Sequence, residues 1–535
     1  MLSRRLLPFI ALFLLMCGDK TTDLEQTLIC GIQGDPASLD PAKTTEDISA
    51  RIFCNLYDPL LKFKEGSTEI EPALAETWEV AGDGKIWTFH LRKGVFFHDG
   101  TPLDAKAVKI SFDRQINPES PYYSEDPPNV FKDFAYNMIS EIRVVDRSTV
   151  QFILKFPFAP TLRTLATFYG SSIVSPAALK EYGNAFGRHP VGAGPFKLKR
   201  WESGEEVVLE RYEEYWGGAP KLKEVIYRVI PESSDMVDAL LKGSIDVISE
   251  ISPTYLERLY FNPRIDILKG NGILVFMLGF NTQKPPYTDK RVRRAVAAAL
   301  DRKRIVHSLL RGKATPAYTP LPPGIFGHDA AIRQISYDPQ RAKTLLREAG
   351  YPDGFKTKLF QFQPSPSRAG VFPLTIQSYL SKVGIDVEIV YFDSWDQYEA
   401  AIVRGEGALF GYGWLGDNGD PDSFLYVLFH SRAMGASGNL FNYSNARVDA
   451  LLEDARQCME ESKRLRLYRE AQDIVVRETP CVFLSYTGRM YAVRRRVQQF
   501  TVSPFRTERL ENVFIQEPSD LKISGGDDDV YQVSY

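Results

Sequence analysis

The sequence predicts a mixed α/β fold spread over more than one domain, and three observations predict it. Apolar residues recur at helical spacing in several segments, strand-like stretches recur on both sides of them, and the chain is long enough to bury more than one core. Strands alternating with helices argue for α/β sheets, with any ligand expected at strand ends or between domains. The chain has 535 residues, a soft prior of about two to four domains at roughly 100–200 residues each. Hydrophobic residues make up 44% and charged residues 25%, which are globular proportions. The formal net charge of −3 calls for neither nucleic acid nor a bulk anionic membrane surface as partner.

In chain order, the stretch 87–91 (WTFHL) alternates and reads as a strand. Gly94 follows as a turn residue, 95–97 resumes extended structure, and Asp99 and Gly100 form a strong turn dipeptide. Asp104 is placed to cap a helix with Ala107, Val108 and Phe112 on one face. The stretches 224–230 (EVIYRVI), 385–390 (IDVEIV) and 408–412 (ALFGY) read as strands. Asp289 caps a helix carrying Val292, Val296, Ala299 and Leu300. The basic residues Lys290, Arg291, Arg293 and Arg294 lie off that stripe, as a solvated face does. Asp338 caps the next helix, with Pro339 at its first position, where the missing N–H costs nothing. Ala342, Leu345, Leu346 and Ala349 form its apolar stripe and Gly350 ends it. The acidic end, GGDDD at 525–529, reads as a mobile tail over 521–535.

The N-terminus has the form of an export signal. Arg4 and Arg5 precede an apolar run from 6 to 16 that is too short to span a bilayer, which takes about 20 residues. The run stops at Cys17, and LLMC at 14–17 resembles a bacterial lipobox, whose thiol is lipidated, although Met16 stands where a small residue is usual. An ordinary signal peptide with an incidental cysteine is the alternative. Cys30, Cys54, Cys458 and Cys481 remain, and four thiols allow three pairings. A Cys458–Cys481 bond and buried free thiols are both open.

Catalytic and cofactor motifs are missing. The six histidines are scattered, with no HExxH pair, and the chain has no GxSxG elbow and no Walker loop. GYGWLG at 411–416 matches GxGxxG, but a dinucleotide loop must run into a helix whose N–H groups meet pyrophosphate. Here it runs into a turn carrying Asp417, Asp420 and Asp422, which repels phosphate. The turn lacks EF-hand spacing. It reads either as a compact surface turn or as a carboxylate aimed at an ammonium group, with Trp414 as a nearby aromatic wall.

A set of segments resembles one family. LAETWEV at 74–80, DGK at 83–85, WTFHLRKGVFFHDG at 87–100, AKAVKISF at 105–112 and PVGAGPF at 190–196 are similar to the signature of the bacterial extracellular solute-binding proteins of family 5. These are the dipeptide-, oligopeptide- and nickel-binding proteins of ABC importers. DKRVRRA at 289–295, ALDR at 299–302, YDP at 337–339 and AGYP at 349–352 continue the resemblance in the family's order, from about 28 to about 515. WLGDNGDPD at 414–422 looks closest to the dipeptide-binding members.

The resemblance implies a two-lobed periplasmic-binding-protein fold with paired crossover strands and an extra subdomain on the first lobe. It places the first lobe at 25–60, 185–275 and 495–520, the subdomain at 61–184 and the second lobe at 276–494. The crossovers would lie near 279–281 and 491–493. It gives Asp417 the ligand's α-ammonium and puts Gly413, Trp414 and Asn418 beside it. Arg368 is the nearest basic residue to the place of the family's carboxylate-binding arginine, where this chain has Gly370 and Val371. The loop SGNLFNY at 437–443 offers Asn439 and Asn442 for ligand contacts, or is a plain turn. The implied function is capture of short peptides, without catalysis or cofactor, by a lipid-anchored monomer outside the membrane. The peptides would pass to an ABC permease. A non-peptide solute on the same fold (nickel chelate, haem, opine or oligosaccharide) is the alternative, and an exported hydrolase or a structural lipoprotein is a third reading.

Overall fold

The computed structural model describes residues 26–123, 125, 136–249, 251–310, 312–363, 370–436, 438–505 and 507–516. The N-terminal apolar run with Cys17, Arg368 and the acidic end lie outside the described residues.

Two long strands organise the molecule. Ile265–Phe280 and Cys481–Arg494 pair antiparallel from Ile265↔Arg494 to Gly279↔Cys481. Around them runs an 11-stranded mixed sheet. At one end of the pair, the outer edge of Cys481–Arg494 receives Val247–Ser249, then Thr27–Ile32, Glu224–Val229, Glu206–Arg211 and Phe196–Glu202. At the other end, the outer edge of Ile265–Phe280 receives Leu409–Leu415, then Phe355–Phe362 and Ile385–Phe392. Each long strand is thus interior in one lobe and faces the other lobe's strands through its partner.

The register breaks between Gly270 and Leu274, opposite Arg489 and Thr487. A side chain on Gly272 would overlap the Thr487 carbonyl. Glycine therefore permits the close approach where the sheet passes between lobes. The expected crossovers at 279–281 and 491–493 fall at opposite ends of the pair, and the irregularity lies midway between them.

A separate four-stranded antiparallel sheet holds Ala75–Val80, Ile86–Leu91, Thr149–Leu154 and Ile139–Asp146. The helix Ala105–Ile116 packs on it, with Phe112 edge-on to Phe152 at 5.0 Å between ring centres. Its cap is Asp104, whose carboxylate accepts the N–H groups of Lys106 and Ala107. The residues 95–97 are extended as expected and pair across the turn with 101–103: Phe96 bridges Pro102, the Phe97 N–H donates to the Thr101 carbonyl and the Leu103 N–H to the Val95 carbonyl, both at 2.9 Å.

The chain end returns to the first lobe. Val497 pairs with Ile515, Arg51 Nε lies 3.0 Å from Glu508, and Arg509 donates to Asp58 at 2.8 Å. The helices capped by Asp289 and Asp338 pack in the second lobe with Val292, Val296, Leu345 and Leu346 buried in one cluster. Cys30, Cys54, Cys458 and Cys481 are free thiols, so the open question of a Cys458–Cys481 bond resolves against it. Cys481 is buried against Met277 Sδ at 3.7 Å, whereas Cys458 is partly exposed. Among the described residues no helix is long and apolar enough to cross a membrane.

Candidate functional site

The strand Leu409–Leu415 is the foundation of the site. One edge pairs with Ile265–Phe280 over its whole length, through Gly413↔Phe276 and Leu415↔Leu274. The other edge pairs with Phe355–Phe362 only at Leu409 and Phe410. Beyond Phe410 the two strands part; the Gly411 carbonyl accepts from the Tyr398 hydroxyl, and exposed Gly413 presents a backbone edge that no described strand continues. Such an edge is a template for an extended chain.

After this strand the backbone turns at Gly416, where any Cβ would overlap the Phe424 ring. The glycine lets the helix Asp422–Phe429 pack against the strand end. The carboxylates of the turn between them organise it from within. Asp420 is fully buried, accepts two hydrogen bonds from Arg464 at 2.9 and 2.6 Å, and takes the Asp422 N–H at 2.9 Å. Asp422 accepts from Arg456 at 2.9 Å. Burial pushes the Asp422 carboxyl up, against the pull of Arg456. Two of the three acidic groups therefore hold arginines of the helices Ala446–Gln457 and Glu461–Glu478.

Asp417 is partly exposed and lines a cavity of about 460 Å³ together with Asn418, Tyr426 and Arg456. The opposite wall comes from the subdomain, from Phe158, Thr164, Thr167 and Tyr169. Asn418 donates from Nδ2 to Thr164 Oγ1 at 3.2 Å, which ties the loop across this junction. Arg456 stacks on Tyr426 at 3.5 Å from the ring centre.

The other expected site residues divide. Trp414 is half-buried, and its indole N–H is fixed on the Ser423 carbonyl at 2.7 Å, so it stiffens the loop rather than walling the Asp417 cavity. Gly413 is exposed on the open strand edge. Asn439 is fully buried, and its amide is used internally: Nδ2 donates to His430 O at 3.2 Å and Tyr443 O at 2.8 Å, while Oδ1 takes the Tyr443 N–H at 3.2 Å. It holds the turn and has no surface to offer a ligand. Asn442 adopts a positive φ of 50° and its carbonyl accepts from Thr282 at 2.9 Å. The Asn439 amide thus serves the turn itself, while Asn442 supports it through its main chain.

A second cavity of about 680 Å³ lies by the long strands, lined by Phe276, Leu309, Phe362, Phe372 and Leu484. Gly370 and Val371 belong to its wall. Among the described residues no three His, Cys, Asp or Glu side chains group to hold a metal ion. The subdomain wall of the Asp417 cavity had no signal in the sequence, since Thr164 stands 254 positions from Asn418.

Comparison with known proteins agrees with this geometry. The model of bacterial extracellular solute-binding proteins, family 5 (middle), matches residues 69–436. The dipeptide-binding protein of Escherichia coli K12 is 33% identical over 516 residues, covering 92% of this chain and 95% of the relative. Heme-binding protein A of Haemophilus influenzae Rd is 32% identical over 490 residues, covering 88% of this chain and 89% of the relative. The periplasmic binding protein DppA of Helicobacter pylori, solved in complex with the peptide STSA, matches with a TM-score of 0.78 and 33% identity, over 92% of this chain and 98% of that one. A family match across most of the chain, and relatives aligned almost end to end with a two-lobed fold, make this chain a member of the bacterial extracellular solute-binding proteins of family 5.

Proposed function

We propose that the protein captures short peptides between its lobes and passes them to the permease of an ABC importer, without catalysing a reaction. The observation that carries this reading is the position of Asp417. It follows a strand with an open backbone edge and lines a cavity walled by the subdomain on one side and the second lobe on the other. A peptide laid along that edge adds main-chain hydrogen bonds like another strand, and its ammonium finds a carboxylate. An ammonium buried without a charge partner opposes binding by several kcal/mol. The relatives named for dipeptides and the homologue solved with a peptide support the same reading.

Within this proposal the lobes keep the boundaries expected above, the long strand pair is the hinge, and closure buries the ligand. Cys17 carries a lipid that anchors a monomer outside the membrane. Asp417→Asn removes the charge and keeps the shape. It is expected to weaken binding of short peptides by about 30-fold or more, since removing one partner of a buried charge pair costs about 2–5 kcal/mol. The melting temperature should stay in place because Asp417 is partly exposed. Calorimetry on a small peptide library measures this, and unchanged affinity would remove Asp417 from the site.

A second reading has one observation behind it. The larger cavity is mostly apolar, and Gly370 and Val371, near the place the resemblance gives to a carboxylate-binding arginine, belong to its wall. With a heme-binding relative at 32% identity, a bulky non-peptide solute such as haem fits the same cleft. Native mass spectrometry of freshly purified protein separates the two, because a mixture of peptides and a single porphyrin differ in mass.

A further inference from the structure

The GxG at 411–413 binds no nucleotide, so the absence of side chains there needs another account. Side chains alternate along a strand. Tyr412 is buried in the second lobe's main cluster and Trp414 packs against it. Positions 411 and 413 therefore face the other way, toward Phe276 and Gln361. A Cβ on Gly411 would lie 2.6 Å from Gln361 Oε1 and 3.5 Å from the Phe276 ring, and one on Gly413 would lie 3.6 Å from that ring. Both Phe276 and Gln361 line the cavity of about 680 Å³. Gln361 covers the buried Gly411, whereas exposed Gly413 leaves the strand face bare on the side where the apolar cavity lies.

The rest of the wall is shared between elements. Leu309 comes from the helix Arg302–Leu310 and Phe372 from the helix Val371–Ser381, with Phe372 edge-on to Phe276 at 4.8 Å. Leu484 and Thr487 come from the second long strand, and Thr254 reaches the cavity from the first lobe. The cavity therefore borders the joint between lobes, and Phe276 of its wall pairs with Gly413 of the strand that ends in the Asp417 loop. Its polar groups, Gln361, Ser485 and Thr487 among them, are uncharged. A wall of this kind favours an apolar group over a carboxylate.

We infer that this cavity is a side-chain subsite selecting peptides with one bulky apolar or aromatic residue, and that Gly413 determines that specificity by leaving its entrance open. The inference rests on the reading that peptides bind along the open strand edge. It adds the class of side chain they carry.

The test compares trialanine with the two tripeptides carrying phenylalanine at the second or third position, by calorimetry. In the wild type one phenylalanine peptide should bind at least tenfold more tightly than trialanine. Gly413→Leu, whose side chain has room to project from the strand, should reduce that preference to about twofold or less. Leu309→Trp, which fills the cavity from the opposite wall, should do the same and serves if Gly413→Leu fails to fold. Asp417→Asn should weaken all three peptides and keep their ratio. A preference that survives both filled variants overturns the subsite while leaving peptide capture intact. Failure of all three peptides to bind the wild type overturns peptide capture itself and the subsite with it.

Discussion

Glu511 lies where the chain end closes over the first lobe, with Arg509 Nε at 2.7 Å and Lys62 Nζ at 3.1 Å. Burial alone would raise its carboxyl, but the two cations outweigh burial and hold it at about 2, against an ordinary value of 4.5. Its folded-state pKa is depressed, so the stabilisation is present above about pH 4.5 and is lost as pH falls toward 2. The difference corresponds to about 3 kcal/mol at most. Wild-type protein should lose urea resistance between pH 4.5 and 2 more steeply than Glu511→Gln, and parallel midpoint curves would contradict this. The same contest explains why single residues were unevenly legible. The sequence singled out Asp417, Asp420 and Asp422 as one acidic turn. Which of them were held by arginines depended on Arg456 and Arg464, residues some forty positions away. Asn439 looked like a ligand amide for a similar reason, since its partners His430 and Tyr443 are loop backbone groups with no pattern of their own.

Helix starts were the most legible elements, because a cap is a contract between residues three positions apart. Asp104, Asp289 and Asp338 each accept N–H groups of the following turn, as the capping pattern required. Asp338 takes the Arg341 N–H at 2.9 Å, and Pro339 follows it at the first helical position. Asp338→Ala should cost about 1 kcal/mol of stability, seen as a lower denaturant midpoint with an unchanged slope. Asp338→Asn or Asp338→Ser should recover most of it, and a null effect would mean the helix is held by its buried stripe alone. Strands were legible where they were long and alternating, as at 224–230 and 385–390, which appear as Glu224–Val229 and Ile385–Phe392. The segment 95–97 pairs only with 101–103 across its own turn and joins no larger sheet, and sheet membership is a property of the partner strands rather than of the segment.

At the scale of the whole molecule, the subdomain and the second lobe are in contact beside the Asp417 cavity, and the contact runs through the acidic loop. Arg163 Nε lies 3.9 Å from Asp420, and its other guanidinium edge donates to the Thr68 carbonyl. Ala159 N–H donates to Arg456 O at 2.7 Å, and Thr68 Oγ1 donates to Gly324 O at 2.7 Å. None of these pairs is adjacent in sequence, so nothing local announced them; the resemblance to a two-lobed family supplied only the expectation that some such junction exists. Arg163 is the one charged group of the subdomain in this set. Burial lowers its pKa and Asp420 opposes that shift, so it is desolvated in this arrangement and regains hydration when the junction opens. Replacing it by an apolar side chain of similar length, Arg163→Met, removes the ion pair while Asp420 keeps its two bonds from Arg464. At 22% side-chain exposure the pair is partly screened, and about 1 kcal/mol is the scale of its contribution. Peptide affinity should then fall about three- to tenfold. Small-angle scattering should show a larger radius of gyration for the unliganded variant, returning to the wild-type value at saturating peptide. Equal affinity and equal radius in the two proteins would mean that the junction forms without Arg163, held by the remaining contacts at Ala159, Gly324 and Thr164.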